Sequence, residues 1–185
     1  MPTVDDTLLR SPALAGGSAP LHTAQTRALR MIEEGAALRD ILAHLASTIE
    51  TLSESGSVVS ILLLDREGLL RNGASPNLPA DYLDAIDRLK PDADVGTCAA
   101  AAATGEVVVT PDFRADSRWR ELRHLPLALG FKGAWSMPIK APDGRVLGTF
   151  GTYFRESRLP TAQEMAAVRQ LAGVAALAIR ARAPE

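Results

Sequence analysis

Cys98 is the single cysteine of the chain, and it stands in Gly96-Thr97-Cys98, just ahead of five consecutive alanines, Ala99 to Ala103, that Gly105 closes. Alanine is the best helix former and glycine is favoured just past a helix end, so Val95 to Gly105 reads as containing a short helix. The start of such a helix offers free backbone N–H groups at the positive end of its dipole. That suits a small anion held at Gly96, Thr97, Cys98 and Ala99. The plainer reading is an ordinary N-cap with Thr97 as the capping side chain. A thiol at a helix start gains thiolate character, which would make Cys98 a redox sensor; the competing reading is a buried cysteine acting as a small hydrophobe. Trp135 and Trp119 are two of few aromatic residues in a chain with four Phe, two Trp and two Tyr. A buried indole N–H needs a partner, so Trp135 is a candidate pocket or pocket-edge residue, weighed against core packing. Trp119 reads as the anchor of a short helix. Phe131 and Tyr153 are candidates for the same cavity, their side of the sheet left open by the period-two alternation of strands.

Other constellations favour bland readings. His124 has no partner spacing and reads as a solvent-facing helix residue. Asp81, Asp84 and Asp87 form a carboxylate row of the kind that lines solvated helix faces, with no opposing acid or base. Neither a Ser-His-Asp arrangement nor a phosphate-binding Gly-x-x-x-x-Gly-Lys loop occurs, and no catalytic constellation is expected. One cysteine and three scattered histidines leave no structural metal site and no internal disulfide.

The elements that must position these residues follow from the pattern. Leu38, Ile41, Leu42, Leu45, Ile49 and Leu52 form a stripe at steps of three and four, one side of a helix. A less regular helical stretch, Thr23 to Glu34, precedes it and breaks at Gly35. Ser57 to Leu64 is apolar at both parities, as in a strand covered on both faces and central in its sheet. Leu69 to Ala74 returns as a second strand after the turn Asp65-Arg66-Glu67-Gly68. Pro79 to Leu89 is helical in pattern, with Tyr82, Leu83, Ile86 and Leu89 inward. Glu106 to Thr110 is a short strand, Ser117 to Leu129 a short helix interrupted by Pro126, and Phe131 to Ile139 a strand. Asp143-Gly144 marks a hairpin turn into Val146 to Phe154. Thr161-Ala-Gln-Glu164 fits a capping box opening a last, alanine-rich helix to about Ala181.

The predicted fold class is therefore α+β: a central, largely antiparallel sheet with terminal helices on one face, and short helices and loops forming a pocket on the other. The 185 residues suit one domain over 21–185, preceded by a flexible lead-in over 1–20. Hydrophobic residues at 46% and charged residues at 23% match a soluble globular chain, and a net charge of −2 offers no basic field for nucleic acid or an anionic membrane. The amino terminus lacks a secretory pattern, and apolar stretches such as Gln170 to Ile179 run to about ten residues against roughly twenty for a membrane span. The expected location is cytoplasmic.

Asp116-Ser-Arg-Trp119, Gly130-Phe131, Trp135-Ser-Met-Pro-Ile139, Asp143-Gly144-Arg-Val-Leu-Gly148-Thr-Phe150, Tyr153 and Arg158-Leu-Pro160 together resemble a GAF domain of the kind found in bacterial two-component sensors and in stand-alone regulators. The resemblance covers about Gly35 to Arg182. Val95-Gly96-Thr97-Cys98 is similar to the family's Gly-Ser-Cys-Gly segment, with Ala99 and Ala100 where glycine and threonine are common. The resemblance implies a ligand pocket between the sheet and the middle helices. The Asn-Lys-Phe-Asp-Glu pattern of cyclic-nucleotide GAF domains is missing, Cys98 has no adjacent histidine like that at bilin attachment sites, and one cysteine excludes the multiple-cysteine set of GAF-type methionine sulfoxide reductases. The implied function is a noncatalytic sensor of an unidentified small molecule, a small anion among the candidates, with no cofactor specified. Such a sensor would form a homodimer through its terminal helices and report in trans to a histidine kinase or transcription regulator. The alternatives are a thiol-dependent redox sensor or reductase-like protein using Cys98, and a noncatalytic dimerisation module without ligand.

Overall fold

The structure is a computed structural model that describes residues 18–182. Most of the expected lead-in, residues 1–17, lies outside the described residues. Five strands, β1 (Val58–Leu64), β2 (Leu70–Ala74), β3 (Val108–Thr110), β4 (Gly133–Lys140) and β5 (Val146–Phe154), form one sheet in the order β2-β1-β5-β4-β3. Every neighbouring pair is antiparallel. The β4–β5 hairpin turns where Asp143-Gly144 predicts it. Gly144 adopts φ 87°, a backbone region open to glycine, and the Asp143 carboxylate accepts from the Arg145 N–H at 3.0 Å. With β4 on one flank of β5 and β1 on the other, β5 is the middle strand. The strand read as central, β1, is an interior strand paired with β2 and β5, and it is buried at both parities as expected.

Helices α2 (Leu38–Leu52) and α6 (Ala162–Arg182) cover one face of the sheet, and α1 (Ser18–Glu33) packs on both of them. The α2 stripe buries Ile41, Leu42, Leu45, Ala46 and Ile49. It meets Val59, Ile61, Trp135, Met137, Phe150 and Phe154 from the sheet and Val168, Leu171 and Ala175 from α6 in one apolar cluster. The capping box forms as read: the Glu164 N–H donates to the Thr161 hydroxyl at 3.1 Å, and the Thr161 N–H donates to the Glu164 carboxylate at 2.8 Å. At the far end of α6, the Arg182 guanidinium donates to the Ile32 and Ala36 carbonyls at 2.9 and 3.1 Å, placing a cation on the carbonyl end of α1. Helix α1 begins at Ser18, five residues before the expected start.

The opposite face carries α3 (Ala80–Ile86), α4 (Cys98–Thr104), a single 3-10 turn (Ser117–Trp119) and α5 (His124–Ala128). Two readings are corrected here. The helix expected to run to Leu89 stops at Ile86, because the free edge of β2 captures the next segment: Leu70 N–H donates to the Leu89 carbonyl at 2.9 Å and Arg88 N–H donates to the Leu70 carbonyl at 3.0 Å. Arg88 adopts φ 62° to make that turn, and Asp87, freed from the helical row, pairs with Arg71 at 2.7 Å. The stretch Ser117 to Leu129 is two pieces instead of one helix, with Asp116 capping the first. His124 is exposed at the start of α5, as read.

Candidate ligand-binding site

Alternation along the strands turns Val58, Ser60 and Leu62 of β1, Ala134 and Ser136 of β4, and Gly151 and Tyr153 of β5 toward the middle helices. Ser60, Gly151 and Ser136 lie in register across three adjacent strands, forming a band of small residues beneath α4. The band exists to admit Cys98. A Cβ at position 151 would lie 2.9 Å from the Cys98 sulfur and 3.3 Å from the Ser136 Oγ, so only glycine lets the first turn of α4 settle on the sheet. The thiol sits 3.0 Å from Ser136 Oγ, and Ser136 donates its one proton to Thr97 Oγ1 at 3.0 Å. The remaining direction is therefore thiol to Ser136. Burial pushes the Cys98 thiol up, and the hydroxyls of Ser136, Thr149 and Thr97 that favour the thiolate do not offset it. Cys98 is a buried, protonated donor. Ser75, whose hydroxyl lies 2.9 Å from Ser60 Oγ, extends the buried hydroxyl band toward β2.

Beside this band stands an aromatic wall. The Tyr82 hydroxyl of α3 donates to the Tyr153 hydroxyl of β5 at 2.7 Å, and the rings meet edge-on, 5.9 Å apart at 87°. Burial pushes both phenols up, so both keep their protons. Phe131 stacks behind Tyr153 at 5.3 Å. Trp119 closes the far side and is held through a chain of polar contacts: its indole donates to Thr110 Oγ1 at 3.2 Å, which donates to Asp116 Oδ2 at 2.6 Å. Asp116 also receives the Arg118 backbone N–H at 3.0 Å and its guanidinium at 2.6 Å. Burial alone would raise the Asp116 carboxyl, yet the Arg118 guanidinium, the Thr110 hydroxyl and the Arg118 N–H outweigh it and hold the group below the usual carboxylate range. Between these walls lies a cavity of about 20 Å³, bordered by Tyr82, Tyr153, Trp119, Cys98, Leu62 and Leu89.

A family model described as GAF domain matches residues 35–180. The chain belongs to the GAF family. It is 35% identical over 160 residues to a methyl sulfide methyltransferase-associated sensor of Methanosarcina acetivorans, covering 86% of this chain and 16% of that protein. The chain thus spans about a sixth of the length of the curated relative it matches. Among solved structures, it is similar to a putative GAF sensor protein from Burkholderia vietnamiensis at TM-score 0.67 and 17% identity, covering 88% of this chain and 94% of that one. It is also similar to the free methionine-R-sulfoxide reductase of Neisseria meningitidis, solved with its substrate, at TM-score 0.66 and 18% identity, covering 87% of this chain and 86% of that one. At these identities the structures show the fold alone.

Within this GAF domain, Gly96, Thr97, Cys98, Trp119 and Tyr153 converge on the cavity between the sheet and the middle helices. Ala99 is fully buried in the first turn of α4, and its carbonyl accepts from the Asp92 N–H at 3.1 Å. Phe131 backs Tyr153 without bordering the cavity. Trp135 is on the other face: it packs with Met137, Phe150 and the terminal helices, and among the described residues its indole nitrogen has no partner. Strand parity decides this, since Ser136 faces α4 and its neighbour must face away. The two readings of the α4 start also change. Thr97 makes no side-chain cap because its hydroxyl accepts from Ser136 instead, and the Gly96 N–H is spent on the Arg118 carbonyl at 2.8 Å. Among the described residues, no cationic side chain borders the cavity. Tyr82, Ser60 and Ser136 are site residues that sequence reasoning did not select. Ser60 and Ser136 were visible as hydroxyls inside otherwise apolar strand runs. A larger open cleft, about 270 Å³, lies between Lys140 of β4 and Arg169 of α6 and contains none of the residues selected from sequence.

Proposed function

We propose that this GAF domain senses a small molecule admitted between Tyr82, Tyr153, Trp119 and the Cys98–Ser136 band, and that occupancy is transmitted through the sheet to α1, α2 and α6. The observation that carries the reading is the cavity's size and lining: a mostly apolar wall that includes Tyr82, Tyr153 and Trp119 encloses a volume too small for a metabolite, so binding must displace a wall and thereby do mechanical work on the fold. The lack of a bordering cation among the described residues and the spent Gly96 N–H favour an uncharged ligand over the small anion. The buried, protonated Cys98 favours a noncatalytic sensor over thiol chemistry. Output is proposed to pass to a signalling partner such as a histidine kinase or transcription regulator, with a second copy of the chain joined through the terminal helices. Sensor activity has precedent in the Methanosarcina acetivorans relative.

Thermal denaturation across a panel of neutral metabolites and anions, preceded by native mass spectrometry of freshly purified protein, tests the reading. A ligand at a hundredfold excess over its Kd should stabilise the domain by about 2.7 kcal/mol. A panel with no stabilising compound and no copurified mass would favour the ligand-free dimerisation module.

A further inference from the structure

Two phenol protons enter the cavity wall and only one is used. Tyr82 donates to Tyr153, and among the described residues neither hydroxyl has another hydrogen-bond partner. Reversing the bond changes which tyrosine holds the spare proton without removing it. Both residues are 4% exposed and both border the cavity, so the spare proton is held away from bulk solvent. An unspent buried donor costs free energy that an acceptor would recover. Resting on the sensor reading above, we propose that the ligand is a neutral molecule carrying a hydrogen-bond acceptor of the carbonyl class, which takes the spare proton of the Tyr82–Tyr153 pair while its apolar body lies against Trp119 and Leu62.

Three features of the site agree with that ligand class. The cavity holds about 20 Å³, about the room of one water molecule, so the resting site keeps the spare donor from bulk solvent. Buried acidic groups there are all held protonated, so a charged ligand would find no compensating charge. The wall at Leu89 is irregular: Leu89 follows the left-handed Arg88, and its segment is held to β2 through Leu70 and the Arg71–Asp87 ion pair and to the β1–β2 turn through the Arg88–Glu67 ion pair.

The proton count yields an unusual mutational pattern. Tyr82→Phe leaves the Tyr153 proton spare, and Tyr153→Phe leaves the Tyr82 proton spare, so each single variant keeps one donor for the ligand. The double variant has none, and removing both partners together leaves no orphan, so it should remain folded. The probes are cyclohexanone and acetophenone, each beside its hydrocarbon isostere, methylenecyclohexane and α-methylstyrene, with benzoate as the anionic counterpart; melting temperature and Trp emission are the readouts. At least one ketone should bind roughly tenfold more tightly than its isostere in the wild type and in both single variants, with the preference gone in the double variant and benzoate silent. Equal binding of ketone and isostere to the wild type, or a preference that survives in the double variant or vanishes in both singles, overturns the acceptor assignment while leaving the pocket standing. Silence of every ketone and hydrocarbon overturns the pocket reading together with it.

Discussion

Cys98 shows how one residue's environment selects among the chemistries its type permits. A thiol at a helix start is expected to gain thiolate character, yet burial against Gly151 and Ser136 dominates and keeps it protonated. Native protein should therefore resist a thiol reagent such as DTNB and react stoichiometrically once unfolded; fast labelling of the folded domain would restore the redox reading. The contact with Gly151 gives a second, thermodynamic check. Gly151→Ala puts a methyl 2.9 Å from the sulfur in the middle strand, where the backbone has little room to shift, and should cost about 1–3 kcal/mol in denaturant unfolding. Cys98→Ala removes the opposing atom, so the same Gly151→Ala change should cost measurably less in that background. An undiminished cost would place the strain elsewhere. Ser136 shows in sequence as a hydroxyl in an apolar run, but neither it nor Gly151 announces the contact with Cys98, because the feature that matters is their register, which long-range strand pairing sets.

Elements built from local signals were legible, and those decided by distant partners were not. The Thr161-Ala-Gln-Glu164 box could be read because its donors and acceptors are three residues apart. It is reinforced by a contact that could not be read: Arg158 lies 3.8 Å over the Phe154 ring and donates to Glu164 at 2.7 Å, joining β5 to α6. Thr161→Ala should cost about 1 kcal/mol of stability by removing one side of the cap. The Arg158 guanidinium, first among the causes, with the Thr161 N–H, holds the Glu164 carboxyl below its usual range. A depressed folded-state value means the contribution is complete above the unfolded-state value, about 4.3, and is lost as pH falls through the folded value. Wild type should therefore lose more stability than Glu164→Gln on acidification from pH 5 to pH 3; parallel pH profiles would remove Glu164 from the account. By contrast the end of α3 was misread, since nothing near Asp87 in sequence announces that β2 offers an unpaired edge to Leu89. The capture is itself the reason Arg88 tolerates a left-handed conformation.

At the scale of the molecule, the sheet divides two cores, and strand parity assigns each residue to one. Fold class, strand order along the chain and the two-faced covering follow from periodicity, whereas Trp135 and Ser136, adjacent in sequence, part to opposite sides because a strand alternates. That division gives the middle strand its transmitting position: Tyr153 borders the cavity, and Phe154, the next residue, packs under the terminal helices. On α6, Gly173 is exposed with no heavy atom near a hypothetical Cβ, and Leu177, one turn later, is 49% exposed, so a glycine and one large apolar group share an exposed face. Small side chains let a second helix approach closely, and a twofold pairing would bury both copies of Leu177 at once. Under the dimer proposal, wild-type protein at micromolar concentration should scatter as a dimer and Leu177→Glu as a monomer. The substitution lies outside both cores, so its unfolding free energy should stay within about 0.5 kcal/mol of wild type. A wild type that is monomeric without concentration dependence, or a Leu177→Glu variant that remains dimeric, would move the output surface away from this face of α6.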